Sequence, residues 1–570
     1  MAETLLSPGV LARENDSSQV SQGTVTVGAA IIGPSVKGPV EIPTTVTSYS
    51  QYKSIFGGAV QSGSDSYNYL TGVSVYNYFQ NGGESVLVTR VTSGSFSSAA
   101  STPIVNGISA TSSSFTLETL SEGTIMNNSG SESKGALTLG TTDNVRWEVA
   151  NVNTASGQFS LLVRQGNDNT RDKTILETWT NLSLDPKAEN YIESVIGNSK
   201  KVVLNDGGTY YVQNQGTYNN KSRYIRVKSV TTKTPDYFDN NGTAKTAFTS
   251  SLPIVGSGSF TSALGGLFNT ASAANFYENV STSDIQGLTA ADYTTAVQLM
   301  ANKDEYAYNS ISVPGVTSQN GASVVTSVAN NSVNRGDSIS IIDLVNYAAN
   351  VGTVTNQAAA FDSSYAAAYW PWCQTIDPET GRQVWVPASV MIPGVYAYTD
   401  ASADAWFAPA GLTRGALGTV IRAERKLPSS TRDTLYGANV NPIATFPNSG
   451  VVVFGQKTLQ KRASALDRVN VRRLLIAVKT YVSQIADTLV FEQNSASTRN
   501  NFLTQVNPYL ESVQQRQGLY AFKTVMDESN NGPDVVDRNQ LVGQIFLQPT
   551  KTAEFVLLDF NVTPTGATFE

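Results

Sequence analysis

Between Leu475 and Leu489 the apolar positions fall at Leu475, Val478, Val482, Ile485 and Leu489, spaced three, four, three and four residues apart. That spacing lays one stripe along a helix and predicts a helix over 472–490, about 28 Å long at roughly 1.5 Å per residue. A second stripe, Phe502, Val506, Leu510 and Val513, predicts another helix, bent at Pro508 and ended by Gly518. Leu519 to Asp527, Leu541 to Gln548 and Phe555 to Val562 then read as strands, with Asn530-Asn531-Gly532-Pro533 turning the chain between the first two. Together these elements, opened by an Asn441-Pro442 turn and the apolar run Val451 to Phe454, predict a small α+β core over 435–570. Its last strand can pair at home or extend the sheet edge of a neighbour.

Earlier in the chain the pattern changes twice. Over 23–95 it is α/β: a strand from Thr24 to Ile32, turns at Gly33-Pro34 and Gly38-Pro39, a helix face over Val73 to Phe79 stopped by Asn81-Gly82-Gly83, and a strand from Ser85 to Val91. From about Ser93 the chain turns to Ser, Thr, Gly and Asn. Short strands follow at Arg146 to Val152 and Gln158 to Arg164, and Asp185-Pro186 predicts the start of a helix. The α/β pattern returns over 284–345. Thr289 and Asp292 have capping-box spacing, Ile311 to Val313 is a strand stopped by Pro314-Gly315, Val324 to Asn331 is a helix, and Ser338 to Val345 is a buried strand. Over 365–415 aromatics and prolines alternate densely, which reads as a packed interdomain linker. Residues 1–22 hold one short apolar stretch, Leu5 to Ala12, broken by Pro8-Gly9, and are either an arm or an ordinary frayed terminus. The predicted fold class is therefore α+β multidomain: an arm at 1–22, a discontinuous α/β middle domain at 23–95 and 251–434, an inserted β-rich outer domain at 96–250, and the C-terminal α+β core at 435–570.

Composition narrows the function. At 570 residues the chain needs several cores. Only 15% of residues are charged, below the roughly 25% of an average soluble protein, and a neutral polar surface of this kind suits packing against copies of itself. The formal net charge of -7 argues against a nucleic-acid binder. With no histidine and a single cysteine, Cys373, the chain lacks Ser-His-Asp and Cys-His nucleophiles, His-ligated zinc, Cys-only metal sites and an intrachain disulfide. No apolar run approaches the length of a membrane span. Gly33 to Gly38 imitates half a phosphate loop, but Pro39-Val40 stand where Lys and Ser/Thr would grip phosphate. Asp337 and Asp343 could form a carboxylate pair, but no base or ligand cluster lies near, and they read as a turn residue and a strand-end residue. No cofactor, metal or catalytic site is expected.

One stretch inverts the overall charge. Lys457, Lys461, Arg462, Arg468, Arg472, Arg473 and Lys479 face a single acid, Asp467, a net of +6 in 23 residues. This is either a solvated helix face or a docking surface for an acidic partner.

Several short blocks stand out in order along the chain. They are Ser7-Pro8-Gly9-Val10, Phe79-Gln80-Asn81-Gly82-Gly83 before Thr89-Arg90-Val91, and Leu182-Ser183-Leu184-Asp185-Pro186 with Asn190-Tyr191. More specific are Tyr369-Trp370-Pro371-Trp372, Val386-Pro387-Ala388-Ser389, Trp406-Phe407-Ala408-Pro409-Ala410-Gly411, Val469-Asn470-Val471-Arg472-Arg473-Leu474, Val490-Phe491-Glu492-Gln493-Asn494 and Ala553-Glu554-Phe555. In their shared order these blocks resemble the contractile-tail sheath proteins of bacteriophages. The family pattern has proline where Ala388 and Thr552 stand, and the 96–250 insertion has no motif-by-motif match.

The resemblance implies a structural subunit that stacks as hexameric rings around a tail tube and contracts without nucleotide hydrolysis, driving the tube through the host envelope. It implies that the basic run faces the tube. It implies that arm strands carrying Val10, Leu11 and Ala12 at one end, and Phe555, Val556, Leu557, Leu558, Phe560 and Val562 at the other, insert into neighbouring subunits' sheets. The partners implied are further copies of the chain, the tube protein, the baseplate and the tail terminator, with no nucleic acid and no membrane insertion. The setting implied is a virion tail assembled in the host cytoplasm, or a phage-derived injection particle. A surface carbohydrate-binding adhesin, using the Ser/Thr-rich insertion and the aromatic stretch, is the alternative of a different class.

Overall fold

The computed structural model describes residues 28–62, 65–109, 111–129, 132–266 and 275–554. An eight-stranded sheet organises them. Six of its strands run parallel, in the spatial order Val86–Arg90, Ala29–Gly33, Ser310–Thr317, Ile339–Asp343, Ala366–Trp370 and Asn441–Phe446. Thr44–Val46 and Gly450–Val453 close the two edges antiparallel. Parallel strands joined by crossovers are covered on both faces, so their sequences are apolar throughout rather than alternating. Ala29–Gly33, Val86–Arg90, Ile339–Asp343 and Ala366–Trp370 are accordingly buried at every position. Successive residues still go to opposite faces. Ala30 and Ile32 join one core with Val324 and Val328 of the helix Ala322–Arg335. Ala29 and Ile31 join another with Val75 and Tyr78 of the helix Leu70–Gln80.

The parallel strands follow a doubly wound order. In open sheets of this kind, ligands bind at the carboxyl ends of the strands where the winding reverses. Here that point lies between Ala29–Gly33 and Ser310–Thr317, and side chains fill it. Gln286 Oε1 accepts a hydrogen bond from Leu70 N at 2.8 Å. Gly315 sits beneath at φ +92°, where an added Cβ would meet Leu70 Cδ1 at 2.9 Å and Gln286 Nε2 at 3.1 Å. The Pro314-Gly315 pair was expected to stop this strand. It instead forms an irregularity within it, since the register with Ile339–Asp343 shifts between Ser312 and Thr317 and the strand continues to Thr317.

The inserted region is β-rich and has its own core around Phe115, Trp147, Phe159, Leu161 and Phe260. It begins and ends in one sheet, where Ser98–Ser101 pairs with Phe260–Thr261, so it reaches past residue 250. The helix expected at Asp185-Pro186 does not form. The strand Ile175–Ser183 enters, and the Asp185 carboxylate then accepts from Lys187 N and Asp236 N, both at 3.0 Å. The Asp side chain is used in a turn, and only Ile192–Ile196 is helical.

Arg90 ties the insertion to the body. It is fully buried at the end of its strand. Its guanidinium donates to the carbonyls of Gly38 (2.6 Å) and Val36 (3.4 Å) in the body, and in the insertion to those of Glu122 (2.8 Å), at the end of the strand Ser113–Glu122, and Gly266 (3.0 Å), past the last strand.

Two boundaries differ from expectation. The Asn441-Pro442 pair is not a turn opening the C-terminal core. It begins the strand Asn441–Phe446, with Asn441 and Pro442 paired to Tyr369 and Trp370. Proline is tolerated at the start of a strand, and Asn441 supplies side-chain bonds, donating to Lys457 O at 2.7 Å and accepting from Lys457 N at 2.6 Å. The large sheet thus extends to Val453, past the expected break at 434/435. The aromatic stretch is likewise not a linker. Tyr369 and Trp370 lie in a central strand, and Trp372, Tyr396 and Pro393 are buried in or beside the sheet's cores, with Pro393 in the first turn of the helix Ile392–Ser402.

Beyond the sheet, the helices Val469–Asp487 and Ala496–Gln515 pack with the hairpin Leu519–Val525/Gln544–Pro549. The second stripe is the helix's buried face, Phe502, Val506, Leu510 and Val513, and the helix runs through Pro508 to end at Gln515, three residues before Gly518. The first helix serves two cores. Val469 and Ile476 join the large sheet's core, while Leu474, Val478 and Ile485 join the C-terminal one. Residues 555–570, which include the third expected strand, and 1–27 lie outside the described residues.

Candidate assembly surface

The seven basic residues do not share one exposed face. Arg472 and Arg473 are buried, which corrects their assignment to a surface. Both lie in the first turns of Val469–Asp487, on the side turned toward the large sheet. Arg473 pairs with Asp400 through two oxygens at 2.6 Å and lies over the Tyr396 ring at 4.5 Å. Arg472 lies over Tyr365 at 3.9 Å and donates to Ser364 Oγ; burial lowers its pKa. These are cation–π contacts made stronger by desolvation. The charges serve packing between helix and sheet, which a count of charge along the sequence does not distinguish from a surface patch.

Lys461, Arg462 and Lys479 are exposed, and Lys457 and Arg468 half-buried. Lys461 and Lys479 gather about the loop that leads into Ala366–Trp370: Lys461 Nζ donates to Ala359 O at 2.8 Å, and Lys479 Nζ to Tyr365 Oη at 3.3 Å. Lys457 turns inward, its Nζ donating to Tyr436 O at 2.8 Å while lying 4.4 Å from the Tyr436 ring centroid. Burial lowers its pKa, with the neighbouring Arg468 adding to the effect.

Arg468 is the N-cap residue of Val469–Asp487. Its Nε and Nη2 donate to the two oxygens of Glu554 at 2.6 and 3.0 Å. Tyr436 Oη donates to the same carboxylate at 2.9 Å, and Gln456 Nε2 at 3.2 Å. Burial alone would raise the Glu554 pKa, but the hydrogen bonds from Arg468 and Tyr436 outweigh it and hold the group below its ordinary value. The charge pattern pointed to Arg468 but not to its partner. The only sequence signal for Glu554 was its place in the Ala553-Glu554-Phe555 block.

The hairpin is the second feature of this region. Leu519–Val525 and Gln544–Pro549 pair only with each other among the described residues. One face packs on the two helices through Phe522, Ile545 and Leu547. The other exposes Tyr520 and Phe546, at 60% and 57%. A two-stranded sheet with both edges open offers main-chain donors and acceptors to any added strand. The arm residues Val10, Leu11, Ala12, Phe555, Val556, Leu557, Leu558, Phe560 and Val562 lie outside the described residues.

Comparison with known proteins bears on the same regions. Residues 286–459 match the family described as phage tail sheath protein central domain, and residues 462–563 the phage tail sheath C-terminal domain. The tail sheath protein of Vibrio phage KVP40 is 38% identical over 216 residues, which are 38% of this chain and 31% of that protein. That of Enterobacteria phage T4 is 34% identical over 228 residues, 40% of this chain and 35% of that protein. The matched part thus spans about a third of the length of these relatives. A sheath tail protein from Listeria innocua shares the fold at a TM-score of 0.53 and 11% identity, covering 92% of this chain and 96% of that one. The helical sheath of the anti-feeding prophage in contracted state does so at 0.50 and 15%, covering 98% and 99%. Residues 286–459 and 462–563 thus carry the central and C-terminal domains of the phage tail sheath family.

Proposed function

We propose that the chain is a structural subunit of a contractile tail sheath, not an enzyme. In this reading subunits stack as hexameric rings around a tail tube, meet a baseplate at one end and a terminator at the other, and slide between an extended and a contracted packing. The observation that carries it is the hairpin Leu519–Val525/Gln544–Pro549, whose edges pair with no other strand among the described residues, in a domain that matches the sheath family. Strands carrying Val10 to Ala12 and Phe555 to Val562 of neighbouring subunits add to its edges by β-augmentation. Main-chain pairing of that kind tolerates rotation of the bodies it links, as rigid-body switching requires.

The purified chain is expected to form striated hollow tubes in negative-stain micrographs. Deleting residues 1–14 leaves a soluble subunit that forms no long tubes; normal polymerisation of the truncated chain would show that the N-terminal arm is not a linker.

The exposed cations Lys461, Arg462 and Lys479, with half-buried Lys457 and Arg468 behind them, face the acidic surface of the tube in this reading. Reversing the three exposed charges to glutamate should weaken tube binding about tenfold or more at low salt, and the difference should shrink as salt rises. Equal binding at low salt would reject the docking role. Arg472 and Arg473 take no part in this contact, because they are buried against Tyr365 and Asp400.

A further inference from the structure

We propose that the Glu554 carboxylate is a latch that fixes where the C-terminal strand leaves the body, and that strand exchange between subunits depends on it while folding of the subunit does not. The inference rests on the assembly reading above and adds a positioning residue to it.

Three parts of the chain meet at this one side chain. Tyr436 belongs to the helix Ser429–Gly437, which packs beside the last parallel strand of the large sheet. Gln456 is buried in the segment that leaves the sheet. Arg468 begins the helix shared by the sheet's core and the C-terminal core. Glu554 is 118, 98 and 86 positions from them, and it takes a hydrogen bond from each. Both its oxygens are engaged by Arg468, and charge-assisted pairs of this kind add geometric definition as well as energy. A second contact holds the same stretch, since Gln456 Nε2 lies 2.5 Å from Thr552 Oγ.

Position gives the cluster its meaning. Thr550 is still bonded to the hairpin, through N–H to Gly518 O at 3.2 Å and Oγ to Gln517 O at 2.7 Å. From Lys551 to Ala553 the side chains are exposed and no secondary structure holds the backbone. Glu554 then returns the chain to the body at the junction between the large sheet and the C-terminal domain. A strand offered to a neighbour from a fixed root searches fewer directions than one hanging from Thr550. Pre-organisation of this kind lowers the ordering cost of association.

The test uses the full chain. Glu554→Gln keeps the shape and removes the charge, and Tyr436→Phe removes one donor while leaving the rest of the cluster. Subunit unfolding in urea, amide hydrogen exchange over 550–554 and the critical concentration for polymerisation are compared with the parent. The latch predicts unfolding close to the parent, faster exchange over 550–554, and a critical concentration raised about tenfold by Glu554→Gln, with a smaller rise for Tyr436→Phe. Unchanged exchange overturns the latch. So does a loss of subunit stability as large as the loss of assembly, which would make Glu554 a structural residue only. A parent chain that forms no polymer would instead overturn the assembly reading, and the exchange measurement would still decide whether Glu554 holds the root.

Discussion

Replacing Arg90 with alanine is expected to lower the unfolding free energy by about 4 kcal/mol and to loosen the inserted β-rich domain from the body. The guanidinium is fully buried, and burial lowers its pKa to about 10. Its two Nη atoms donate to four carbonyls, two in the body and two in the insertion, while its Nε has no partner among the described residues. Removing it takes the guanidinium donor from all four acceptors in a site from which water is excluded, leaving Gly38 O with Glu122 N alone, and an unmatched buried polar group costs about 1–3 kcal/mol. It also opens a cavity under the Gly38 loop. Arg90→Lys should recover only part of the loss, because one ammonium cannot span four acceptors that a planar fork reaches. Denaturant unfolding gives the energy. Limited proteolysis within 91–97 and at 262–266 reads the loosening, and equal cleavage of parent and Arg90→Ala would dismiss the tie.

Asp343→Asn is expected to stabilise the protein at neutral and higher pH and to change little near pH 4. Asp343 is buried at the end of its strand and accepts from Ser389 N at 3.1 Å and Ser389 Oγ at 2.5 Å. Burial raises its pKa to about 7, more than those two bonds lower it. The unfolded chain holds the group near its ordinary value of about 3.9. Between these values the folded state binds a proton that the unfolded state has released, so stability falls as pH rises from about 4 to about 7 and levels off above. Asparagine has no such proton to lose. At ~1.4 kcal/mol per pH unit the gap between variant and parent reaches at most about 4 kcal/mol above pH 7. Urea titrations at pH 4.5 and 8 measure it, and a constant difference between the two would remove the ionisation account.

Local patterns were legible in the sequence. The stripe from Phe502 to Val513 is the buried face of its helix, the Thr289/Asp292 capping box forms with both of its bonds, and Asp343 sits where a strand-end residue was expected. Asp337 is likewise a turn residue, accepting from Arg335 at 2.9 Å. What failed depended on partners far along the chain. Asn441-Pro442 carries a turn signal, yet the open edge beside Tyr369 and Trp370 recruits it as a strand. The first helix's stripe was offset at its start, because Leu474 rather than Leu475 packs in the C-terminal core. Arg472 and Arg473 looked like surface charge because nothing near them in sequence announces Asp400 or Tyr365. Glu554 was visible only as part of a motif, since the residues that give it a role lie 86 or more positions earlier.

The strand Ala29–Gly33 pairs on one side with Val86–Arg90 and on the other with Ser310–Thr317. During synthesis its second neighbour does not yet exist. Once Arg90 has been made, at roughly 5–20 residues per second the ribosome needs about 11–44 s to reach Ser310. The early strand pair waits for that time with one apolar edge uncovered, while the insertion, whose first and last strands already lie side by side, has every contact it needs to fold as soon as it emerges. Biogenesis should therefore run from the inside of the sequence outward, and an aggregation-prone nascent chain is to be sought in ribosome-bound fragments that end shortly before residue 310, not in fragments that end after residue 343.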